Sequence, residues 1–450
     1  VDRQRRAGGG DAGGAGTGAG KGKLMIRIIE PLKPGQSLHA RIKLPGSKSV
    51  THRALMMAAL ADGPCRIDNP LRAEDTELTA GALTQVGATI TWAAESVRVT
   101  PPNTRWHSPT APIQLGNSGT TTRLLAALLA AGRGRFVLDG SDRLRQRPLA
   151  PLLNALAGQS VRVRHLQAPG YLPLEMVSEG LTGGSVQIDA GASSQYLSAL
   201  LMSAPAAAAD LTVGWTLPVA SFPYVLITLA MMEEFGIHYR RLAENAILVP
   251  APQTYRAFSH EVEGDCSSAS YFWAAAAITG GEVFTGPVKP GALQGDCRLL
   301  EALEQMGCRV DWRERGVRVR GPARLGALDL DLNQMPDMVP TLAVVAAFAD
   351  GTSRIRNVAH LRIKECDRLS ALAGELGKTG ALIDELPDGL VIRGGPRHGA
   401  AIDSHNDHRI AMALALVGLR IAGVEIHGAE AVVKSFPGFW DAFASLAARS

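Results

Sequence analysis

The sequence predicts a mixed α/β protein assembled from repeated small modules. Three observations predict it. Six stretches share one plan, in which a small-residue or polar cluster precedes an Ala/Leu-rich helical segment, usually followed by a Gly and a β-branched run. Their starts recur about every 70 to 75 residues, which is too regular for chance and too long for a solenoid unit. Between the helical segments lie alternating runs such as "CRVDWRERGVRVRG" (residues 308–321) and "ALIDELPDGLVIRGG" (residues 381–395). These read as short half-buried strands, the second folded at the hairpin signal "LPDGL". Sequence alone does not say how the six modules are arranged.

In chain order, residues 1–24 come first. "VDRQRRAGGGDAGGAGTGAGKGKL" is Gly-rich and of low complexity, so it cannot bury a core and is expected to be a disordered tail, or sequence upstream of a start at Met25. Its "GAGTGAGKGKL" imitates a phosphate loop but fails the required spacing, because Ala15 stands where glycine is needed and no Ser or Thr follows Lys21 or Lys23. The six modules then open at "GSKSVTHRALMMAALADGPCRI" from Gly46, "GNSGTTTRLLAALLAAGRGRFVL" from Gly116 and "GASSQYLSALLMSAPAAAADLTV" from Gly191. They continue with "GDCSSASYFWAAAAITGGEVFT" from Gly264, "MPDMVPTLAVVAAFADGTSRI" from Met335 and "HNDHRIAMALALVGLRIAGVEI" from His405.

Composition narrows the function class. A chain of 450 residues, 46% hydrophobic and 20% charged, is long enough for two or more domains and reads as a soluble globular protein. Apolar runs such as residues 124–131 and 338–349 are too short to span a bilayer. A net charge of +4 and few aromatics argue against a general nucleic-acid binder. The five cysteines, Cys65, Cys266, Cys297, Cys308 and Cys366, show no metal-finger spacing and are expected to be reduced, core-filling thiols of a cytosolic protein.

One local rule is broken. Lys48 stands at the start of the first helical segment and Arg53 in its first turns, where the helix dipole makes each cation cost about 0.3–1 kcal/mol. Either Ser47 or Ser49 suits the cap. A cation there becomes favourable if an anion lies between it and the free N–H groups, since each charge-assisted hydrogen bond contributes about 1.5–3 kcal/mol. The misplaced cations therefore predict a bound phosphate or carboxylate.

Taken singly, the motifs have bland readings. Ser193-Ser194-Gln195 reads as a cap, "DRLRQRPLAPL" (residues 142–152) as a solvated basic loop, and "LRIKECDRLSAL" (residues 361–372) as a surface helix with ordinary i,i+3 and i,i+4 pairs. "HNDHR" (residues 405–409) is a poor metal signal, and Lys434 in "VVKSFPGFW" is one lysine among many. Jointly, Lys48, Arg53, Arg123, Arg147, Lys364, Arg368, Arg409 and Lys434 recur in one repeated frame and describe a cleft for multiply anionic substrates. Asp337 and Glu365 within it are suited to proton transfer.

In this order, "LPGSKSVTHRAL", "LGNSGTTTRLL", "RQRPL", "DAGASSQYLSALLMSAP", "EGDCSSASYFWAAAAI", "RIKECDRL", "NDHRIAMALAL" and "KSFPGFW" resemble the 5-enolpyruvylshikimate-3-phosphate synthase family, from about Met25 to the C-terminus. The resemblance implies an α/β (α+β) fold of two similar domains, each of three βαβαββ-type repeats about a pseudo-threefold axis, with the active-site cleft between them. One domain would comprise residues 25–46 and 263–450, the other residues 47–262.

The implied reaction moves the enolpyruvyl group of phosphoenolpyruvate to the 5-hydroxyl of shikimate-3-phosphate through a tetrahedral adduct, releasing phosphate. It needs no metal or organic cofactor. By the same resemblance Lys48 lies between the substrates. Ser49, Arg53, Ser193, Ser194, Gln195, Ser221, Asp337 and Lys364 hold shikimate-3-phosphate, and Asp337 takes the 5-hydroxyl proton. Asn117, Gly119, Arg147, Arg368, Arg409 and Lys434 hold phosphoenolpyruvate, with Gln195 alongside, and Glu365 is the second proton-transfer group.

Three departures from the family pattern stand out: His360 replaces a frequent Asn, Phe222 a Lys of some members, and Leu124 a frequent Pro after Arg123. The rival readings are the sister transferase acting on UDP-N-acetylglucosamine and a non-catalytic polyanion binder of the same fold. The sister family uses a cysteine in the loop at residues 139–152, which has none here. The resemblance further implies a cytoplasmic monomer in aromatic amino-acid biosynthesis, with small-molecule partners and neither nucleic acid nor membrane.

Overall fold

The structure, a computed structural model, describes residues 25–33, 35–103 and 106–448. The Gly-rich stretch of residues 1–24 and its imitation phosphate loop lie outside the described residues.

Alternation of β-branched and polar residues places one face of each short strand on a core, and the strands gather into small sheets of one repeated plan. In the second module Ile113–Gln114 runs parallel to Arg133–Asp139, which pairs antiparallel with Leu174–Glu179, which in turn pairs antiparallel with Val161–His165. The helices Gly119–Ala130 and Ala150–Ala157 fall between successive strands, so the chain order is βαβαββ. The third and fifth modules repeat this order of parallel and antiparallel pairs. The two runs singled out in the sequence are hairpins, Arg309–Arg313 with Gly316–Arg320 and Leu382–Leu386 with Gly389–Gly394.

The first and fourth modules exchange a strand. His39–Lys43 runs parallel to Glu282–Gly286, while Ser259–Glu261 runs parallel to Cys65–Asp68. The chain thus crosses from one group of modules to the other twice, side by side. Ser47 N–H donates to the Glu263 carbonyl (2.8 Å), Asp265 N–H to that of Pro45 (2.9 Å), and Gly46 bridges Gly264. Both crossings need glycine: a Cβ on Gly46 would lie 2.0 Å from the Asn69 carbonyl oxygen, and one on Gly264 2.1 Å from that of Pro287.

Two hydrophobic cores result. One draws on residues from Val50 to Val262, the other on Ile29 to Leu44 together with Cys266 to Leu446. In the first, Gly119–Ala130 packs against both Lys48–Ala58 and Ser194–Ser203. In the second, Val339–Ala347 packs against both Cys266–Thr279 and His408–Ala415. Beyond their polar N-terminal turns these helices are largely apolar because they are enclosed nearly all round. Among the described residues no helix is long and apolar enough to cross a membrane.

The cysteine expectation needs correction. Cys266 and Cys297 form a disulfide, with Cα atoms 5.4 Å apart, while Cys65, Cys308 and Cys366 are free. The turn Gly295–Arg298 packs against the start of the Cys266–Thr279 helix, where Gln294 accepts from Cys266 N–H (3.0 Å), and so brings the two sulfurs together.

Candidate active site

The helix Lys48–Ala58 begins without a cap of its own. Ser47 occupies the cap position but its side chain caps nothing, contrary to the serine-cap expectation. Lys48 N–H donates instead to Asp265 Oδ2 (2.9 Å), while Asp265 Oδ1 accepts from Ser268 N–H (2.6 Å) and caps its own helix. One carboxylate thus serves two helix starts. The misplaced cations both find acceptors. Arg53 Nε donates to Thr228 Oγ1 (2.7 Å), Nη1 to the Ser49 carbonyl (2.9 Å), and Nη2 to Ser198 Oγ (3.2 Å) and the Tyr224 carbonyl (3.0 Å). Lys48 Nζ reaches Asp75 Oδ2 at 3.2 Å.

Helix starts from both cores line one polar cavity of about 50 Å³. Of the residues singled out in the sequence, Lys48, Ser49, Arg53, Arg147, Ser193, Ser194, Gln195, Ser221, Asp337, Lys364, Glu365, Arg368 and Arg409 line it. Asn117, Gly119 and Lys434 stand behind that lining. The space a Cβ on Gly119 would occupy is 2.6 Å from the Arg147 guanidinium carbon, so glycine lets Arg147 lie against the helix start. Lys434 Nζ donates to the Asn117 carbonyl (2.7 Å) and lies 4.0 Å from Glu365 Oε1. Lys434 is only 5% exposed, unlike a surface lysine.

The "RIKECDRL" segment is no surface helix. Asp367 caps a helix that starts at Arg368, and Lys364 and Glu365 lie ahead of it in the pocket wall. Arg368 is 1% exposed. Its guanidinium donates to Asp407 Oδ2 (2.7 Å), Asp337 Oδ1 (3.0 Å) and Glu365 Oε2 (3.0 Å). Arg409 Nη2 donates to Asp337 Oδ2 at 2.8 Å. Burial alone would push the Asp337 carboxyl up, but Arg409, Lys364, Arg368 and Lys48 together hold it well below the usual range. Burial likewise opposes ionisation of Glu365, and Arg147, Arg368 and Lys434 overcome it. Lys364 is pushed down to about 8, first by burial and then by the neighbouring Arg368 and Arg123, against the pull of Asp337.

The basic loop is likewise part of the wall. Arg143 crosses to the opposite core and donates to the carbonyls of Lys364 (2.7 Å), Glu365 (3.0 Å) and Arg362 (3.3 Å). Ser193 both caps its helix, accepting from Gln195 N–H (3.3 Å), and faces the pocket. Gln195 is fixed by Arg123 Nη1 on its oxygen (2.8 Å) and by Thr120 Oγ1 under its amide nitrogen (2.9 Å). Ser221, in a left-handed turn with φ of 58°, donates its N–H to the Asn333 carbonyl across the cleft (3.0 Å), and Phe222 N–H does the same to Gln334 Oε1 (3.2 Å). Leu124 lies buried in its helix. His360 lines an adjoining cavity of about 940 Å³, and burial pushes its imidazole down to about 4. His405 bonds Glu375 Oε1 (2.9 Å) whereas His408 is buried in the pocket wall, so the two histidines of "HNDHR" do not share a partner.

Sequence reasoning missed Asp75, Tyr224 and Asp296. Asp75 pairs with Lys48 and Lys434, and Tyr224 OH donates to Asp296 Oδ2 at 3.1 Å. Burial, with Asp337 nearby, pushes the Asp296 carboxyl up to about 6. Asp75 and Asp296 lie in no motif, and Tyr224 stands three residues after Ser221 with no role read for it; their signal is spatial.

A model of the EPSP synthase (3-phosphoshikimate 1-carboxyvinyltransferase) family matches residues 32–443. A 3-phosphoshikimate 1-carboxyvinyltransferase of Syntrophobacter fumaroxidans is 57% identical over 94% of this chain and 100% of its own length. One from Vibrio cholerae is 42% identical over 92% of this chain and 98% of its own. The solved EPSP synthase of Acinetobacter baumannii superposes with a TM-score of 0.78 at 27% identity, covering 94% of this chain and 98% of that one. A cleft walled by paired arginines and carboxylates, on a fold shared along nearly the full length with these proteins, makes this chain a member of the EPSP synthase family.

Proposed function

We propose that the chain transfers the enolpyruvyl group of phosphoenolpyruvate to the 5-hydroxyl of shikimate-3-phosphate, the step its relatives' names describe, in the pathway to chorismate and the aromatic amino acids. The observation that carries this reading at the site is the Asp337 carboxylate held between Arg368 and Arg409 at 3.0 and 2.8 Å, inside a pocket walled by both cores. A substrate phosphate or carboxylate takes up donors of this kind, since planar guanidinium groups suit both.

In this reading Arg147, Arg368, Arg409 and Lys434 bind phosphoenolpyruvate, with Asn117 and Gly119 shaping that wall. Ser193, Ser194, Ser221, Gln195, Ser49, Arg53 and Lys364 bind shikimate-3-phosphate, and Lys48 lies between the two. Asp337 takes the 5-hydroxyl proton as that oxygen bonds to the central carbon of phosphoenolpyruvate. Glu365, held ionised by Arg147, Arg368 and Lys434 in the free site, takes up a proton once the substrate anions offset those cations and delivers it to the vinyl carbon. The tetrahedral adduct then loses phosphate, and the Glu365 carboxylate takes a proton back from the new methyl group, which restores the double bond. Two anionic substrates offset the surrounding cations, which lets Asp337 regain basicity at the moment it is needed.

The domain reading accompanies it: residues 25–46 with 263–450 form one domain and residues 47–262 the other. The division between the two cores and the paired crossings at Gly46 and Gly264 support this. A cytoplasmic monomer acting on small molecules is the corresponding expectation for location and assembly.

Phosphorus NMR of purified protein with shikimate-3-phosphate and phosphoenolpyruvate tests the reaction, with UDP-N-acetylglucosamine as the parallel acceptor. Free phosphate and a new enol ether with shikimate-3-phosphate alone are expected. Turnover with the nucleotide sugar alone, or with neither acceptor, would overturn the assignment.

A further inference from the structure

Four polar side chains lie fully buried where three helices of one core meet. His52, Thr79, Thr121 and Ser118 are each 0% exposed, in a core otherwise rich in Ala and Leu. They form one row of hydrogen bonds. His52 Nδ1 lies 2.8 Å from Thr79 Oγ1, Thr79 Oγ1 lies 2.7 Å from Thr121 Oγ1, and Thr121 Oγ1 lies 2.7 Å from Ser118 Oγ. The Asp75 carbonyl accepts from Thr121 Oγ1 as well (3.3 Å).

Both ends of the row lie next to the pocket wall. His52 stands one turn after Lys48 on the helix Lys48–Ala58, so the two are neighbours on its surface. Thr79 stands one turn after Asp75 on the helix Glu74–Gln85. Ser118 caps the helix Gly119–Ala130 through Thr121 N–H (3.4 Å). It lies in the chain between Asn117, whose carbonyl accepts from Lys434 (2.7 Å), and Gly119, against which Arg147 rests.

Packing alone does not call for this row. Apolar side chains would fill the same space without burying any polar atom. His52 Nε2 finds no partner among the described residues, and burial, with Lys48, Arg53 and Lys434 nearby, pushes the imidazole down to about 3, so the ring is neutral. An unpaired buried nitrogen is a cost that a merely well-packed core avoids. What the row adds is direction. Apolar burial is non-directional, whereas a buried hydrogen bond fixes a separation and an angle, and linked ones act together.

We propose that His52 is a positioning residue: through Thr79 and Thr121 it sets the start of the helix Gly119–Ala130 relative to Lys48, and with it the seat of phosphoenolpyruvate. The substrate named here rests on the reaction proposed above; the row of hydrogen bonds does not.

The test compares wild type with Thr79→Val, Thr121→Val, the double variant, His52→Asn and His52→Leu. Each is measured in steady-state turnover with the two substrates varied separately, and in hydrogen exchange of a peptide covering residues 116–124 without substrates. Thr79→Val and Thr121→Val are each expected to raise KM for phosphoenolpyruvate about fivefold to twentyfold, and to leave KM for shikimate-3-phosphate within about twofold of wild type. Both should speed exchange of the peptide. The double variant should lose no more than about threefold beyond either one, because residues acting through one row are not additive. His52→Asn, which keeps a polar atom near the place of Nδ1, should stay within about threefold of wild type, whereas the apolar His52→Leu should match Thr79→Val.

Losses that multiply in the double variant, equal rises in both KM values, or equal effects of His52→Asn and His52→Leu overturn the proposal. Thr79→Val and Thr121→Val keep the test readable if His52→Leu fails to fold. Unchanged exchange in the valine variants would refute the row whatever the turnover. Faster exchange in them, in a protein whose wild type shows no turnover, would support the row and refute the assigned reaction.

Discussion

Asp265 accepts a hydrogen bond from the backbone N–H of Lys48 at 2.9 Å, across 217 residues of sequence. The same side chain caps its own helix through Ser268 N–H. A helix start that lines the pocket and the start of the helix Cys266–Thr279 are therefore tied together at the point where the chain crosses between cores. Removing an N-cap costs about 0.5–2 kcal/mol, so Asp265→Ala should lower unfolding free energy by about 1–4 kcal/mol. Asp265→Asn, which keeps an acceptor, should lose less. Urea unfolding checks both, and an unchanged midpoint for Asp265→Ala would show that the shared cap does not stabilise the fold.

Asp337 is expected to dominate turnover. Asp337→Ala should lose at least the roughly 10²–10⁴-fold typical of general acid–base groups while still binding shikimate-3-phosphate. Calorimetric binding beside steady-state rates separates the two effects. Wild-type-like turnover would sink its assignment as the proton acceptor.

The Lys364 ammonium, pushed down to about 8 by burial and by Arg368 and Arg123, sets an alkaline limb. If its protonated form holds the shikimate-3-phosphate anion, kcat/KM falls as pH rises through about 8. Below that value the cation is present and the interaction is complete. Lys364→Arg, which stays charged, should shift the limb upward; an unmoved limb would assign it to another group.

Arg143 binds three main-chain carbonyls of the segment that carries Lys364 and Glu365. Arg143→Ala should cut kcat/KM by about tenfold to hundredfold through loss of orientation. It should also speed hydrogen exchange of a peptide covering residues 359–365. Normal exchange together with normal kinetics would make Arg143 a surface residue in function.

Much of the molecule was legible in its sequence. The six repeated segments all become buried helix starts, because enclosed helices keep small apolar residues on every face and polar ones at their N-termini. The hairpin at "LPDGL" followed from its turn residues. Lys48 and Arg53 broke a local rule, and both lie in the pocket wall.

Other features were not legible for physical reasons. The Cys266–Cys297 disulfide depends on how the turn Gly295–Arg298 packs on a helix, and spacing does not report that. The "RIKECDRL" segment has the spacing of a surface helix, and only burial of Arg368 among Asp337, Glu365 and Asp407 distinguishes it.

By itself the sequence determined the modules, the helices and the hairpins, since periodicity and turn chemistry act over a few neighbouring residues, and it pointed to most of the pocket-facing side chains only through the resemblance of its motifs to a known family. Tertiary structure alone decided the partners. Asp265 caps Lys48, Asp75 bridges Lys48 to Lys434, and Arg143 holds the Lys364 loop because the paired crossings lay two cores face to face. Hydrogen bonds and ion pairs act over about 3 Å in space, and no pattern along the chain encodes which distant residues come within that reach.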